Sequence, residues 1–337
     1  MTEVINPSVV PQRTTYTGEK IPCIGMGTFG SDRFTPDQVS AAVAGAIDVG
    51  YRMFDCAAVY GNEDLIGKVF ADAISSGKVT REELHITSKV WNDQHGAGDV
   101  LISCAKSLKD LQLDYIDCYF LHWPFPNYHA PGCDGDARNP DSVPFDVDRF
   151  MATWKQLERL QDLGLVKSIG MSSMTIPKLE AVLPLCRIKP TSIEMELHPS
   201  FQQKELFDYC LSKGIQPIGF CPIGSPTRPD RDKTADDVVD IQMPEIVEIA
   251  KAHNVHPAVI CLKWQVQRGS IPIPFSVYEA EYLSNLKCTT EDPLSDEEMA
   301  KIASADKNCR LIKGQVFLWE GAKDWTDLWD VDGTITK

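Results

Sequence analysis

Four side chains that could transfer a proton lie at or just after the ends of apolar segments. Asp55 ends one such segment, and Tyr60 follows it on the connecting turn. Lys89 and His122 lie in the next two apolar segments. Each residue alone suits a structural role, because buried histidines and ion pairs often serve packing. If the segments are parallel strands, however, their carboxyl ends meet at one edge, and the four side chains converge there.

The chemistry that these side chains favour is proton transfer to or from a carbonyl oxygen. A lysine in an apolar strand needs a carboxylate, and Asp55 is the candidate on the neighbouring strand. An ammonium about 4 Å from a phenol lowers its pKa by about 1–3 units, so we expect Lys89 to make Tyr60 a general acid. A neutral His122 would orient the carbonyl. The hydride must come from a cofactor, because no side chain supplies one.

An alternation of apolar strands and helices positions these residues. The predicted strands cover residues 21–27, 51–57, 84–90, 115–123, 166–171, 191–197, 215–221 and 270–274. Strict alternation indicates a parallel sheet, and eight units favour a closed (β/α)8 TIM barrel over an open doubly wound sheet. The alternative of an open doubly wound sheet is weakened further because no GxGxxG turn opens the first unit. A short β-hairpin over residues 14–22 precedes the barrel.

We expect one domain over residues 1–337 with long connections at the carboxyl face of the barrel. These connections cover residues 124–144, 224–242 and the C-terminal tail, 309–337. Long loops at that face usually recognise substrate, so the tail is predicted to be a substrate loop. Its tryptophans also suit a contact with a partner protein, and that alternative stays open.

The composition is that of a soluble protein of enzyme size. The formal charge of −15 disfavours nucleic acid and anionic membranes as partners. Eleven cysteines without CxxC spacing predict reduced thiols and a cytoplasmic location. The sequence shows no signal layout and no apolar run long enough to span a membrane. We expect a monomer or a weak homo-oligomer.

Seven motifs resemble those of the aldo-keto reductase family in order and spacing. They cover residues 25–29, 55–63, 87–91, 121–124, 170–173, 196–199 and 273–276, within a resemblance that extends from residue 14 to residue 305. The resemblance implies a barrel that binds a nicotinamide cofactor across its carboxyl face. It assigns the catalytic places to Asp55, Tyr60, Lys89 and His122.

The resemblance also implies a set of cofactor-binding residues. They are Thr28, Asp55, Ser172, Ser173, Glu194, Phe220, Ile223, Ser225, Ser276, Glu281 and Asn285. Ser172, Ser173 and Glu194 take the places that hold the carboxamide, where the family usually has Ser, Asn and Gln. Phe220 takes the place of the aromatic residue that stacks on the nicotinamide.

Two departures from the family pattern bear on the cofactor. Members that use NADP place a lysine and an arginine where this chain has Phe275 and Glu281. A carboxylate repels a phosphate but accepts hydrogen bonds from a ribose hydroxyl, so we expect NAD to be favoured, with NADP possible. Lys287 is close enough in sequence to be a missed cation. Glu194 is the second departure, since a carboxylate donates a hydrogen bond only when it is protonated.

The leading hypothesis is an NAD(P)-dependent oxidoreductase that interconverts an aldehyde, ketone or sugar carbonyl and its alcohol. The candidate substrate residues are Phe29, Trp91, His122, Trp123 and Trp319. A metal-dependent barrel hydrolase with His122 and His198 as ligands is a second hypothesis, weakened because the first strand lacks a His-x-His pair. A third is a cofactor-binding regulatory subunit with the same fold.

Overall fold

The protein forms a β-hairpin followed by a parallel barrel. The computed structural model describes residues 3–31, 33–128 and 138–336, apart from the side chain of residue 231. The hairpin joins β1 (Gln12–Thr14) to β2 (Lys20–Pro22) in antiparallel register. In these residues the barrel strands are β3 (Met26–Gly27), β4 (Met53–Asp55), β5 (His85–Val90), β6 (Ile116–Leu121), β7 (Val166–Ser172), β8 (Ser192–Glu196), β9 (Gln216–Phe220) and β10 (Ile271–Pro272).

The barrel strands pair in sequence order, and the sheet closes on itself. Each strand from β3 to β10 is parallel to the next. The N–H groups of Gly25 and Gly27 donate to the carbonyl oxygens of Pro272 and Pro274 at 3.0 and 2.9 Å. These hydrogen bonds join the first and last strands of the described sheet, so the predicted (β/α)8 barrel is confirmed.

Of the helices in the described residues, eight connect the barrel strands and two follow the last strand. They are α1 (Pro36–Val49), α2 (Glu63–Ser75), α3 (Asp99–Leu111), α4 (Val147–Asp162), α5 (Ile176–Val182), α6 (Lys204–Ser212), α7 (Pro244–His253), α8 (Pro257–Arg268), α9 (Glu279–Lys287) and α10 (Asp296–Ala303). Helix α1 begins at a capping box between Thr35 and Gln38 and ends at Gly50, whose φ is 122°. None of the helices described is long and apolar enough to cross a membrane.

Two predicted strands are shorter in the structure because of prolines. The segment predicted over residues 21–27 divides after Pro22, so Ile21 belongs to the hairpin and only Met26 and Gly27 pair in the barrel. The last strand retains only Ile271 and Pro272 of residues 270–274. Proline lacks an N–H group, so it cannot donate to a strand ladder.

A buried apolar layer lies inside the barrel. The layer contains Ile21, Met53, Cys118, Phe120, Ile218, Ile271 and Ile273, all buried. Ile21 comes from the hairpin, and most of the others come from the beginning or middle of their strands. A close-packed apolar interior excludes water, so any charged group above it must be paired.

The C-terminal tail folds back onto its own barrel. Trp319 and Trp329 are only 6% and 7% exposed. Lys178 of α5 donates to a carboxylate oxygen of Asp330 at 2.5 Å, and both side chains are at most 2% exposed. These two tryptophans are buried against the chain itself, whereas Trp325 is half-buried, and a partner contact of the tail stays a prediction. The predicted loop over 124–144 lies partly outside the described residues, at 129–137.

A buried histidine joins the end of β8 to the loop over residues 224–242 and to the tail. The Nε2 atom of His198 is 2.9 Å from Glu196 Oε1, and its Nδ1 atom is 3.1 Å from Asp240 Oδ2. Glu196 also accepts hydrogen bonds from the N–H groups of Leu311 and Ile312 at 2.7 and 3.1 Å. Burial disfavours the imidazolium, but hydrogen bonds to Asp240 and Glu196 outweigh it and raise the pKa of His198 to about 9.

We expect the free energy of unfolding to decrease as pH rises from about 6.5 to about 9. The folded pKa of His198 lies above the ordinary value of 6.5, so its contribution is fully present below pH 6.5 and is lost as pH passes 9. The loss should be on the order of 3 kcal/mol. Urea unfolding of the wild-type and His198→Gln proteins at pH 6, 7, 8 and 9 measures it. The variant should lose the part of the slope that His198 contributes, while the part from the buried acids Glu19 and Glu194, whose pKa values are also raised, should remain.

The partly exposed His253 provides the control. Burial lowers its pKa, and contacts with Asp292 and Glu298 raise it by more. Because these contacts are partly exposed, solvent screens them, so His253→Gln should keep most of the wild-type slope. Burial lowers the pKa of His85 and His95 to about 4, so their contributions lie below this range. A wild-type protein whose stability is constant from pH 6.5 to 9 would contradict the assignment.

Candidate active site

An ion pair between adjacent strands lies at the centre of the site. Asp55 ends β4 and is the register partner of Thr87 on β5. Lys89 Nζ lies 2.5 Å from Asp55 Oδ1 and 3.0 Å from the carbonyl oxygen of Cys56. The hydroxyl of Thr87 donates to the same carboxylate oxygen at 2.6 Å. Lys89 is 1% exposed, so Asp55 provides the charge partner that a buried ammonium requires.

The phenol and the imidazole converge beside this ion pair. Tyr60 ends a short 3-10 turn, Ala58–Tyr60, which Gly61 closes in the left-handed region at φ 65°. Lys89 Nζ lies 5.6 Å from the centroid of the Tyr60 ring. The centroid of the His122 ring lies 5.9 Å from that of Tyr60. All four residues predicted to move a proton therefore share one site.

The net pKa of Tyr60 differs from the prediction. Burial raises it, the Lys89 ammonium lowers it, and the carboxyl groups of Asp55 and Glu194 raise it again, so that it lies well above 10. The expectation of a phenol pKa below its ordinary value is therefore wrong, although Lys89 acts in the predicted direction. The phenol remains protonated at neutral pH, which is the form that donates a proton.

His122 is neutral in this environment. Burial and the nearby Lys89 ammonium hold the pKa of His122 well below 6.5. Its Nδ1 atom has no hydrogen-bond partner among the described residues, and its ring lies 4.9 Å from that of Trp91. A neutral imidazole carries one N–H group, which can donate to a carbonyl oxygen.

Glu194 brings a second carboxyl group to the same ammonium. Its Oε2 atom lies 3.4 Å from Lys89 Nζ, and the residue is 2% exposed. Its Oε1 atom is buried with no hydrogen-bond partner in the part of the chain that the structure describes. Burial and the Asp55 charge raise the pKa of Glu194 while Lys89 opposes them. The sequence left the partner of Glu194 open, and the structure places it beside Lys89.

The other residues implied to bind the cofactor follow the carboxyl ends of the strands. Thr28 follows β3, Ser172 ends β7, Ser173 comes next, Phe220 ends β9, Ile223 and Ser225 begin the loop after it, Ser276 follows β10, and Glu281 and Asn285 lie on α9. Ser173, Cys221 and Ser225 have φ values of 58°, 51° and 39°. Non-glycine residues in this region are strained, and such strain is typical of ligand sites.

The residues at the predicted adenosine end form a local hydrogen-bond network without a lysine in it. Ser276 Oγ donates to Glu281 Oε2 at 2.6 Å and accepts from the N–H group of Tyr278 at 3.0 Å. Lys287, the cation that the sequence left open, lies 2.6 Å from Glu3 Oε2 and 3.8 Å from Glu291 Oε1. It is therefore engaged by other carboxylates.

Aromatic side chains surround the phenol and imidazole, but not all are those predicted. Phe29 is 46% exposed, and its ring lies 5.0 Å from that of Tyr60. The ring of Phe317, in the tail, lies 5.8 Å from Trp91 and 4.5 Å from Trp123. Sequence reasoning chose Trp319 instead, which is buried two residues further along. No feature of the sequence distinguishes Phe317 from the other aromatic residues of the tail, so sequence reasoning missed it.

The structure weakens the hydrolase hypothesis, because His198, one of its two proposed metal ligands, is engaged by other side chains. Both ring nitrogens of His198 contact carboxylates, and its Nδ1 atom also lies 3.1 Å from Ser200 Oγ. In the described ranges, no group of three or more His, Cys, Asp or Glu residues could hold a metal ion. His198 is thus part of the cluster with Glu196 and Asp240, apart from the ion pair at Lys89.

Comparisons with known proteins agree with this geometry. Residues 23–307 match the model of the Aldo/keto reductase family. "Aldo-keto reductase family 1 member A1" of Xenopus tropicalis is 40% identical over 307 residues, 90% of this chain and 91% of that protein. The human protein of the same name is 39% identical over 299 residues, covering 88% and 90%.

A solved structure resembles the whole barrel. The aldose reductase of Schistosoma japonicum aligns with a TM-score of 0.79 and 33% identity, and the alignment covers 94% of this chain and 98% of that one. The match of the family model over most of the chain and the identity to these relatives agree with the motifs that carry Asp55, Tyr60, Lys89 and His122. The chain therefore belongs to the aldo/keto reductase family.

Proposed function

We propose that the protein is a nicotinamide-dependent oxidoreductase that reduces a small carbonyl compound to its alcohol. The observation that carries this proposal is the buried ion pair of Lys89 and Asp55 beside a protonated Tyr60 and a neutral His122. Such a site provides a proton donor and a carbonyl-orienting group but no electron source, so the hydride must come from a cofactor.

Three features of the site suit a nicotinamide group. The Oε1 atom of Glu194 is buried without a hydrogen-bond partner among the described residues. The hydroxyls of Ser172 and Ser173, which lie 3.4 Å apart, can exchange hydrogen bonds with a carboxamide. Phe220 is half-buried at the end of β9 and offers an aromatic face for stacking. When bound, the cofactor supplies the hydride.

The protein groups have distinct roles in the proposed reduction. Tyr60 donates its hydroxyl proton to the carbonyl oxygen as negative charge develops there. His122 donates an N–H hydrogen bond to the same oxygen and orients the carbonyl. Lys89 stabilises the resulting tyrosinate, and Asp55 holds the ammonium at 2.5 Å. A phenol that is protonated across the neutral range favours reduction, because alcohol oxidation requires the tyrosinate.

The aromatic residues around the phenol support a small carbonyl substrate. Phe29, Trp91, Trp123 and Phe317 supply apolar faces around the polar groups of Tyr60 and His122. Because one structural relative is an aldose reductase, aldoses belong with short aldehydes in the substrate screen. The small-molecule substrate, the cytoplasmic location and a monomer or weak homo-oligomer are parts of this proposal.

We expect Tyr60→Phe to lower kcat for carbonyl reduction by about 10²- to 10⁴-fold, because the variant lacks the proton donor. The Kd of the reduced cofactor should change little. Steady-state reduction of aldehydes and aldoses, followed through the absorbance of the reduced nicotinamide, measures kcat. Tyr16→Phe is the matched control, since its hydroxyl donates to the carbonyl oxygen of Lys189 outside the site. Unchanged turnover of Tyr60→Phe would remove this residue from the mechanism.

We further propose that NAD is favoured over NADP. Phe275 offers no charge to a 2′-phosphate. Glu281, which accepts a hydrogen bond from Ser276, can also accept one from a ribose 2′-hydroxyl. We expect kcat/KM to be higher with NADH than with NADPH, and Glu281→Arg to lower the KM for NADPH by about tenfold. Glu279→Arg, in the same exposed helix turn, is the control for net charge. A clear NADPH preference of the wild-type protein would refute the proposal.

A further inference from the structure

The buried site contains more carboxyl groups than cationic groups. Lys89 supplies one ammonium, while Asp55 and Glu194 supply two carboxyl groups at 2.5 and 3.4 Å from it. All three residues are at most 3% exposed, so solvent cannot balance the charge. If both acids were ionised, the site would carry one uncompensated negative charge, and such a charge is costly in a buried environment. One acidic proton therefore stays in the site until another cation arrives.

The other groups facing Glu194 do not supply that cation. Tyr60 and the Cys118 thiol of β6 act on it electrostatically, and burial keeps both protonated and neutral. Its register partners on β7 and β9 are Ser172 and Ile218, which carry no charge. The next acid along β8, Glu196, is engaged with His198 and the tail.

The hydrogen bonds indicate which acid keeps the proton. One oxygen of Asp55 accepts from both Lys89 and Thr87, at 2.5 and 2.6 Å. Glu194 has the longer contact to Lys89, and its other oxygen has no partner among the described residues. Acceptance of short hydrogen bonds stabilises an ionised carboxylate, so the proton belongs on Glu194. The upward direction of the Glu194 pKa agrees with this assignment.

We propose that Glu194 releases its proton when an oxidised nicotinamide binds and retains it when a reduced nicotinamide binds. The inference rests on the proposed function and extends it, because it makes the redox-state preference of the site depend on pH. An oxidised nicotinamide ring carries a positive charge, which can replace the proton in balancing the two carboxylates. A reduced ring is neutral and cannot.

The distances allow a substantial effect. The carbonyl that Tyr60 protonates must lie within hydrogen-bond reach of its hydroxyl, and the hydride donor must lie about 3–3.5 Å from the carbonyl carbon. Because Lys89 Nζ lies 5.6 Å from the Tyr60 ring centroid and 3.4 Å from Glu194 Oε2, a nicotinamide ring whose carboxamide reaches Glu194 would lie no farther than about 10 Å from the carboxyl group. At an effective dielectric constant of about 20, this separation gives roughly a tenfold difference in affinity.

Calorimetric titration with NAD⁺ and NADH tests the inference. Titrations at pH 7 in buffers of different ionisation enthalpy give the number of protons released, and repeating them at pH 6 and 8 gives the Kd ratio of the two forms. We expect NAD⁺ binding to release up to one proton per site and NADH binding to release none. The preference for NAD⁺ over NADH should increase by about tenfold from pH 6 to pH 8.

Glu194→Gln should abolish the proton release and make the Kd ratio independent of pH. The matched control is Glu158→Gln on α4, another buried glutamate, which accepts from the N–H groups of Arg187 and Ile188 at 2.8 and 2.9 Å. This control should release protons as the wild-type protein does. If Glu194→Gln does not fold, the wild-type proton count still decides the question.

Two results would overturn the inference alone while the proposed function stands. They are binding of both cofactor forms without a difference in proton release, and a proton release that persists in Glu194→Gln. Binding of neither NAD⁺ nor NADH, with NADP⁺ and NADPH also tested, would overturn the proposed function itself and the inference with it.

Discussion

The active site depends on keeping a lysine charged inside an apolar barrel. The Lys89 ammonium is almost completely shielded from solvent, and the layer beneath it consists of aliphatic, aromatic and thiol side chains. The charged form of Lys89 is therefore stabilised by Asp55, which the parallel register of β4 and β5 brings within 2.5 Å. Closure of the barrel fixes this register, so the fold determines the separation of the two charges. The phenol, the imidazole and Glu194 are arranged around that pair.

The Lys89 ammonium acts in the same direction on two of its neighbours, and burial decides the net pKa of each. It lowers the pKa of both His122 and Tyr60, but burial adds to its effect on the imidazole and opposes its effect on the phenol. Both side chains are consequently neutral hydrogen-bond donors. A site with two neutral donors and one fixed cation can stabilise developing negative charge on an oxygen without first acquiring a proton from solvent.

The sequence predicted the barrel and the convergence of Asp55, Tyr60, Lys89 and His122, because strand alternation and strand-end position are local patterns. It did not predict the net pKa of Tyr60, since burial depends on tertiary packing. The contact of His198 with Asp240 joins residues 42 positions apart and leaves no local signal. The predicted roles of the cofactor residues and of the Glu281 and Phe275 departures remain predictions.

The cluster of His198, Glu196 and Asp240 connects the two segments that flank the site. Asp240 lies in the loop over 224–242, and its carboxylate packs against Gly224, where an added Cβ atom would lie 2.2 Å from Oδ2. Glu196 holds the start of the tail through the N–H groups of Leu311 and Ile312. The loop and the tail therefore share an anchor in the barrel wall. Displacing one of these segments therefore strains the attachment of the other, so the two are mechanically coupled through a single buried histidine.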